Sequence, residues 1–415
     1  MPSSPVVIVG AGLSGLACAS RLQQKGVPCQ ILEASNCAGG RIRTNVVDGF
    51  HLDLGFQVLL SAYPQTQRTI DYGELRLKSF YPGALVRYRG RFRQLGDPLR
   101  LPSEALPSLI SSVATLPDKM RVLSLRQRVC SPSIPELLSR PEVTTLARLR
   151  ELGFSEHIID HFFRPFLGGI FLDRDLDTSS RKFEFIFRMF ALGKATLPAE
   201  GMQAIPQQLV RRLRPGVLRL GTRVASVGNE GVHLSDGEFV AASSVVVATA
   251  QREANRLLDR HTMQAATSTT CLYYSAQKTP VQGPWLVLNG DGDGPISHLC
   301  VLTEVQPSYA PEGVSLISVT VLDAAFQSRE DLEPIVRAQL KEWYGPDAEQ
   351  WRHLRTDHIA NALPLQSPPA LDPVAKPVKI SDRLFACGDY TTIASIEGAI
   401  TSGQRAADEA SAQLR

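Results

Sequence analysis

The fold is decided by the stretch Pro5-Val6-Val7-Ile8-Val9-Gly10-Ala11-Gly12-Leu13-Ser14-Gly15 near the start of the chain. Its β-branched run is typical of a buried parallel strand that ends at the first glycine. Apolar residues at helical spacing follow as far as Gly26, and the segment 29–32 then predicts a second strand, directly before Glu33. The order strand, helix, strand predicts a βαβ unit with a parallel sheet.

The glycines of this stretch form a G-x-G-x-x-G motif, which in a βαβ unit binds the diphosphate of a dinucleotide. Gly10 permits the tight turn, Gly12 lets the backbone approach the pyrophosphate, and Gly15 lets the helix pack against the sheet. The free amides and the dipole of the helix N-terminus favour phosphate. The predicted cofactor site therefore also includes the remaining motif positions, Ala11, Leu13 and Ser14.

Glu33 ends the second strand, 18 residues after the last motif glycine, and this spacing predicts an acid that binds a ribose hydroxyl and disfavours NADP. Ala34 and the run Gly39-Gly40-Arg41-Ile42-Arg43-Thr44 come next. Here the sequence resembles the flavin-containing amine oxidase and phytoene-desaturase superfamily, whose members carry an E-A…G-G-R element. The resemblance implies FAD as the cofactor, with Gly40 in its site. It also implies that Arg41 lies along the pyrophosphate, because a guanidinium fork matches phosphate oxygens.

Three further stretches extend the resemblance over most of the chain: Asp53-Leu54-Gly55-Phe56-Gln57, Gly201-Met202-Gln203-Ala204-Ile205-Pro206, and Phe385-Ala386-Cys387-Gly388-Asp389-Tyr390 with Ser395-Ile396-Glu397-Gly398-Ala399. The resemblance implies that Leu54, Gly55 and Phe56 run beside the isoalloxazine ring. It also implies that the backbone of Val224 meets the adenine, within a hairpin-rich region that spans the segments 218–220, 223–227, 232–234 and 245–248.

The C-terminal stretch places a strand end, an acid and a new helix N-terminus together. The resemblance implies that Gly388 and Asp389 lie at the ribityl or phosphate region of FAD. It implies that the amides near Ile396 and Glu397 face the pyrimidine edge of the flavin, where a helix N-terminus stabilises negative charge.

The resemblance also implies an α/β fold in which a Rossmann-like FAD-binding domain, of the glutathione-reductase type, carries a second, α+β substrate domain. The cofactor motifs assign 1–75, 196–265 and 380–415 to the FAD-binding domain, which leaves 76–195 and 266–379 for the substrate-binding domain. The second insert predicts sheet over 271–322, and helices are expected to cover that sheet. In the first insert, helix starts are predicted near Ser103, Pro117, Pro135 and Ser155.

A phenylalanine-rich stretch in the first insert supplies the candidate substrate pocket, which comprises Phe56, Phe162, Arg164 and Phe166. One interpretation is an apolar channel for a long hydrophobic substrate, and the other is an ordinary core. Arg164 either binds a flavin or substrate oxygen or pairs with Asp160 or Glu184, because a charge among aromatic residues needs a partner. The alternation Phe183, Phe185, Phe187 does not suit a simple amphipathic helix.

The chemistry is expected to reside in the flavin, which takes a hydride from a substrate C–H bond held over its ring. We find no Ser/His/Asp or Cys/His set, so the catalytic residues stay unknown, and each of the eight histidines is predicted to be structural or solvated. A second G-x-G-x-x-G motif after a strand is missing from the sequence, which predicts an external electron acceptor such as oxygen or a quinone.

Ser395 separates two branches of the superfamily, because amine oxidases usually carry an aromatic residue there that forms half of a cage around the amine. The C-terminal pattern more closely resembles carotene desaturases. The leading hypothesis is therefore dehydrogenation of a C–C bond in a hydrophobic, isoprenoid or carotenoid-like substrate. The alternatives are an amine or amino-acid oxidase, a flavin-dependent polyene isomerase, and a non-catalytic FAD-binding protein.

Composition narrows the class of protein further. A net charge of +3 with scattered Arg gives no support for a nucleic-acid partner. Seven cysteines without C-x-x-C pairs predict a reducing, cytoplasmic location and no metal site. Neither a signal peptide nor a transmembrane helix is predicted. The basic, partly apolar segment 119–129 predicts either a covering helix or a peripheral membrane contact, and we favour the covering helix.

Overall fold

The computed structural model describes residues 4–97, 100, 111–260, 266–322 and 332–414. The helix predicted after Ser103 lies outside these residues. The α-helices of the described part are α1 (Leu13–Gln24), α2 (Pro64–Thr69), α3 (Tyr72–Leu75), α4 (Leu116–Cys130), α5 (Ile134–Leu138), α6 (Thr145–Glu151), α7 (Glu156–Ile158), α8 (Arg164–Phe171), α9 (Ser180–Leu192), α10 (Ala204–Arg211), α11 (Gln251–Leu257), α12 (Leu302–Val305), α13 (Leu332–Tyr344) and α14 (Ile396–Ala412).

The strands of the described part are β1 (Val6–Val9), β2 (Cys29–Leu32), β3 (Thr44–Val47), β4 (Phe50–Asp53), β5 (Leu59–Leu60), β6 (Lys78–Ser79), β7 (Gly83–Tyr88), β8 (Arg91–Gly96), β9 (Ala195–Leu197), β10 (Leu218–Arg219), β11 (Val224–Val227), β12 (Gly231–Leu234), β13 (Phe239–Ala241), β14 (Ser244–Val247), β15 (Ala266–Ala276), β16 (Leu286–Asn289), β17 (Ile296–Val301), β18 (Ser315–Val321), β19 (Arg352–Pro364) and β20 (Leu384–Ala386). Helices and strands are interspersed along the chain, and the strands form several sheets. The predicted α/β class is therefore confirmed.

A five-stranded parallel sheet of order β10-β2-β1-β14-β20 carries the predicted βαβ unit. Glycines let two helices pack closely against its first turn. A Cβ atom at Gly15 would lie 2.0 Å from the carbonyl oxygen of Gly10, and one at Gly403 would lie 2.0 Å from that of Ser14. Since no side chain tolerates such distances, α1 and α14 reach their positions only because these residues are glycine.

The hairpin-rich region that we predicted divides between two sheets. β11, β12 and β13 form an antiparallel meander, as expected from the turn residues. β10 and β14, however, join the parallel sheet, where they pair with β2 and with β1. All four residues of β14 are buried, which is typical of a central parallel strand and unlike a hairpin strand with one solvated face.

A seven-stranded mixed sheet of order β19-β15-β18-β17-β16-β7-β8 forms the second layer. The sheet predicted over 271–322 is therefore present. The first insert is not only helical, because its strands β7 and β8 extend this same sheet, with β7 parallel to β16. The boundaries of the two domains stay a prediction.

The phenylalanine-rich segment 180–192 forms the helix α9, and every residue from Ser180 to Ile186 is buried. The alternating phenylalanines point to different sides of this helix because residues two apart are about 200° apart around a helix axis. The buried N-terminal half of α9 accommodates Phe183 and Phe185 on different sides. Glu184, one of the partners considered for Arg164, instead accepts a hydrogen bond from Arg140 (3.0 Å).

The basic segment 119–129 lies in α4, which Thr115 caps at its N-terminus. Leu125 and Val129 are buried and the helix packs against α9, as expected of a covering helix, whereas Leu116 and Met120 are exposed. Over the described ranges, every helix is too short or too polar to cross a bilayer.

Candidate active site

A cavity of about 530 Å³ joins the carboxyl ends of the parallel strands to the space beneath α8 and α9. Its walls contain most of the residues assigned to the cofactor from the sequence, which are Gly10, Gly12, Leu13, Ser14, Glu33, Ala34, Arg41, Leu54, Gly55, Phe56, Val224, Gly388, Asp389 and Ile396. The structure thus gathers segments that are nearly 400 residues apart at one site.

Gly12 shows that the first turn has space for a ligand. A Cβ atom at this position would have no described atom within 4 Å, and its φ of −71° is one that any residue adopts. The protein itself therefore does not require glycine at position 12. The open space lies at the N-terminus of α1, where amides and the helix dipole favour a phosphate.

The carboxylate of Glu33 is held at the end of β2 by three hydrogen bonds. One oxygen accepts the amide of Ala11 (2.7 Å), and the other accepts the amide (2.9 Å) and the hydroxyl (2.7 Å) of Ser35. Ala11 is fully buried and its amide is used by Glu33, so Ala11 does not offer that amide to a ligand. Ala11, Gly15 and Gly40 do not line the cavity in the described structure. Gly15 instead allows α1 to pack closely against the first turn.

Arg41 and Asp389, predicted to lie at the same cofactor from opposite ends of the chain, form an ion pair of 2.7 Å. Arg41 also donates to the carbonyl of Ala362 (2.8 Å), and the charge of Asp389 raises the pKa of Arg41. A guanidinium held in this way keeps its charge and its orientation beside the cavity.

Asp53 directly precedes Leu54, Gly55 and Phe56, which line the cavity, although Asp53 itself is behind the wall. Its carboxylate accepts hydrogen bonds from the Thr44 hydroxyl, the Met202 amide (2.9 Å) and the Tyr309 hydroxyl (2.9 Å). Burial raises the pKa of Asp53 to about 6. The sequence analysis did not single out this acid.

Glu397 does not reach the cavity with its side chain. The carboxylate caps α2, where it accepts the amides of Gln65 and Thr66 (both 2.9 Å) and the Thr66 hydroxyl (2.8 Å). Its neighbours Ser395 and Ile396 do line the cavity, and the Ser395 hydroxyl caps α14 by accepting the amide of Gly398 (3.0 Å).

The part of the cavity beyond the cofactor residues has two walls. We call the α8 and α9 wall the roof; it comprises Phe166, Gly169, Ile170, Lys182, Ile186 and Phe190. We call the sheet wall the floor; it comprises Thr269, Leu286, His298 and Thr320. Most of the roof is apolar, in keeping with the expected channel.

Two of the predicted pocket residues lie outside the described lining. Phe162 stacks on Phe166, with ring centroids 5.4 Å apart, and so supports the roof from behind. Arg164 pairs with Asp160 (3.2 Å) and donates to the carbonyl of Arg174 (2.6 Å). Asp160 lies four residues earlier, in a π-helical segment (Ile159–Phe163) that leads directly into α8, so the ion pair is local.

Four polar residues of the roof and floor were missed by the sequence analysis, and two of them, Lys182 and His298, are titratable. Lys182 is only 2% exposed, its ammonium lies 5.3 Å from the centre of the Phe171 ring, and burial lowers its pKa to about 8. His298 is 4% exposed, and burial lowers its pKa to about 4. The spacing of Lys182, Ile186 and Phe190 by four residues was a usable signal that they share a helix face.

The family model of flavin-containing amine oxidoreductases matches residues 13–411. The chain belongs to this family. Coproporphyrinogen III oxidase of Propionibacterium freudenreichii subsp. freudenreichii is 26% identical over 393 residues, which cover 77% of this chain and 72% of that protein. A zeta-carotene-forming phytoene desaturase of Myxococcus xanthus is 38% identical over 93 residues, or 21% of this chain and 18% of that protein.

The fold of the family is also evident from solved structures. Cyclohexylamine oxidase from Brevibacterium oxydans IH-35A aligns over 100% of both chains with a TM-score of 0.72 and 17% identity. As a member of the family of flavin-containing amine oxidoreductases, the chain is a flavin-dependent oxidoreductase that binds FAD. The open space at Gly12, the oriented Glu33 and the charged Arg41 fit an adenine dinucleotide with its diphosphate at the N-terminus of α1.

Proposed function

We propose that this flavin-dependent enzyme dehydrogenates a C–C bond of a hydrophobic, isoprenoid or carotenoid-like substrate. The observation that carries the proposal is the apolar roof. Phe166, Ile170, Ile186 and Phe190 face a cavity that is continuous with the cofactor residues. Such a wall binds an apolar ligand by burying its surface, at roughly 25 cal/mol per Å².

The bound FAD would supply the redox chemistry by accepting a hydride equivalent from the substrate. The residues of the chain would hold it through Gly12, Glu33 and Arg41, and would keep water from the substrate carbon. Ser395 lines the cavity where an aromatic residue would enclose an amine, which supports dehydrogenation over amine oxidation. We further propose an external acceptor, oxygen or a quinone, and a cytoplasmic location.

A second candidate is the oxidation of a porphyrinogen. The alignment with coproporphyrinogen III oxidase favours it, because that alignment spans most of both proteins, whereas the desaturase match is confined to 93 residues. Both substrate classes have a large apolar framework that the roof could cover, although coproporphyrinogen III also carries four carboxylates.

Anaerobic mixing of the FAD-loaded protein with phytoene, with coproporphyrinogen III and with benzylamine tests the proposal. Loss of the absorbance of oxidised flavin with phytoene is expected, whereas loss with coproporphyrinogen III alone would favour the second candidate. Ile186→Asp places a charge on the roof and should slow this reduction at least tenfold, while Leu192→Asp on the exposed end of the same helix should not. Reduction by benzylamine alone, with peroxide formed in air, would overturn the proposal.

A further inference from the structure

Two polar side chains stand next to each other on the floor. His298 on β17 and Thr320 on β18 are paired in register and are 4% and 3% exposed. Both line the cavity. Neither the two imidazole nitrogens nor the Thr320 hydroxyl has a hydrogen-bond partner among the described residues. Buried polar groups in folded proteins are nearly always paired, so two adjacent exceptions facing one cavity indicate a ligand.

Two neighbouring hydroxyls of the same sheet do have hydrogen-bond partners within the sheet. The Thr269 hydroxyl, also on the floor, donates to the carbonyl of Val321 (3.1 Å). The sulfur of Cys271 lies 3.3 Å from the Ser318 hydroxyl, deeper in the same sheet. Two other buried groups of the sheet, the Tyr274 hydroxyl and one carboxylate oxygen of Asp357, also have no hydrogen-bond partner among the described residues, but they do not line the cavity. His298 and Thr320 differ from them because their unpaired groups face a space that a ligand can fill.

The imidazole packs closely against Gly169 of α8, and this approach is possible only because residue 169 has no side chain. A Cβ atom there would lie 2.7 Å from Nδ1 of His298, closer than real contacts allow. On another side the ring of Phe56 lies 5.2 Å from the imidazole, centroid to centroid, at an angle of 60°. Phe56 belongs to the segment expected beside the flavin, so the polar pair lies close to the reacting end of the cavity.

The chemistry of the pair defines what it can bind. Because burial lowers the pKa of His298 to about 4, the imidazole is neutral near pH 7 and is able to donate one hydrogen bond and to accept another. A hydroxyl has the same two capacities. Neutral protein groups of this kind are suited to a ligand that carries an N–H or O–H group. A ligand carboxylate would be bound more strongly by a cationic side chain.

We infer that His298 and Thr320 bind a neutral N–H or O–H group on an otherwise apolar, ring-containing substrate. The inference rests on the proposed function for the location of the substrate, and of the two candidates it favours the porphyrinogen, whose pyrrole rings carry N–H groups, over a pure hydrocarbon. It favours heteroatom-bearing ring systems over pure hydrocarbons of the same shape. His298 and Thr320 are thus specificity-determining residues, since a hydrocarbon would leave both without a partner.

The matched pair indole and indene tests the inference, because the two bicyclic molecules have nearly the same shape and differ by an N–H group. Binding of each to the FAD-loaded protein is measured by titration calorimetry. The protein should bind indole roughly fivefold or more tightly than indene, as expected for one buried hydrogen bond. His298→Phe and Thr320→Val should bring the ratio close to one by weakening indole binding alone.

Three comparisons separate this effect from a loss of structure. His353→Phe makes the same change at an exposed histidine and should leave the ratio unchanged. His298→Gln retains a donor and an acceptor and should restore part of the preference for indole. Retention of FAD and an unchanged Tm show that each variant is folded.

Equal binding of indole and indene to the unaltered protein would overturn the inference, as would a preference that persists in His298→Phe. Failure to bind indole up to its solubility limit also counts against it. Because the titration needs no turnover, these outcomes are distinct from failure of the proposed function, which would appear as no flavin reduction by phytoene or coproporphyrinogen III.

Discussion

Replacing Asp53 with asparagine should remove a pH dependence of stability that this single carboxyl imposes. Asp53 is 2% exposed, and burial raises its pKa from 3.8 to about 6. Hydrogen bonds from Thr44, Met202 and Tyr309 oppose the rise without cancelling it. The folded chain therefore holds the proton of Asp53 more tightly than the unfolded chain does, and folding favours the neutral acid.

Below pH 3.8 both states keep this proton, and the stabilising contribution is complete. Between pH 3.8 and about 6 the unfolded chain releases the proton while the folded chain keeps it, so the free energy of unfolding falls as the pH rises. Each pH unit in this window is worth ~1.36 kcal/mol, which makes the whole loss ~3 kcal/mol. About 2 kcal/mol of it is expected between about pH 4.5 and about pH 7.5.

The assay is the Tm of the FAD-loaded protein and of Asp53→Asn at these two pH values. The unfolding entropy of 415 residues, at ~2.1 cal/mol/K per residue, converts about 2 kcal/mol into about 2 °C. Asparagine keeps the size of the side chain and an oxygen that accepts from Thr44 and Met202. The difference between the Tm of Asp53→Asn and the Tm of the unaltered protein should therefore increase by about 2 °C from about pH 4.5 to about pH 7.5.

Subtracting the two Tm values at each pH removes the titration of all other groups. Asp382→Asn serves as the control, because the Asp382 side chain is 98% exposed and its removal should leave the pH difference unchanged. If the unaltered protein and Asp53→Asn lose stability in parallel between the two pH values, the burial of a proton at Asp53 is not the cause and the reasoning fails.

Three further changes should have separable effects. Gly12→Leu should fold with an unchanged Tm when FAD is absent but lose FAD on gel filtration, because a side chain there meets only the space reserved for the cofactor. Glu397→Ala should lower the free energy of unfolding, measured by urea titration, by ~2–4 kcal/mol, because two amides at the start of α2 lose a charged acceptor. Glu397→Gln should lower it by less. Lys182→Met should raise the Tm at pH 7, because burial lowers the lysine pKa from 10.5 to about 8 and charging it opposes folding, and the gain should shrink as the pH rises from about 8 towards about 10.

The parts of the site that the sequence predicted best are those whose geometry is local. The glycine spacing of the first turn specifies a strand, a tight turn and a helix N-terminus within fifteen residues, and Gly10 indeed adopts a φ of +105°. Glu33 follows at the end of the next strand, where the pairing of β1 with β2 places it beside that turn. Such positions follow from backbone geometry alone.

The missed residues depend instead on which elements pack together. The residues next to His298 in the sequence do not distinguish it from other histidines. Its contacts in the folded chain are with distant residues, Phe56 and Gly169 of α8. Arg164 is the opposite case: its partner Asp160 is local and was among the alternatives, yet aromatic neighbours in the sequence made a pocket role look equally reasonable. Proximity in the sequence did not tell which face of the helix points to the cavity.

The distribution of charge along the cavity suggests a division of tasks between its two walls. Lys182 is mostly protonated near pH 7, and the charges of Asp389 and Asp173 favour this form, so it adds a positive charge close to Arg41. That charge favours an anionic cofactor, whose diphosphate and reduced flavin are both negative. The floor, by contrast, offers the neutral His298 and Thr320. A neutral substrate would therefore be selected by hydrogen bonds and shape, while electrostatic attraction is reserved for the cofactor.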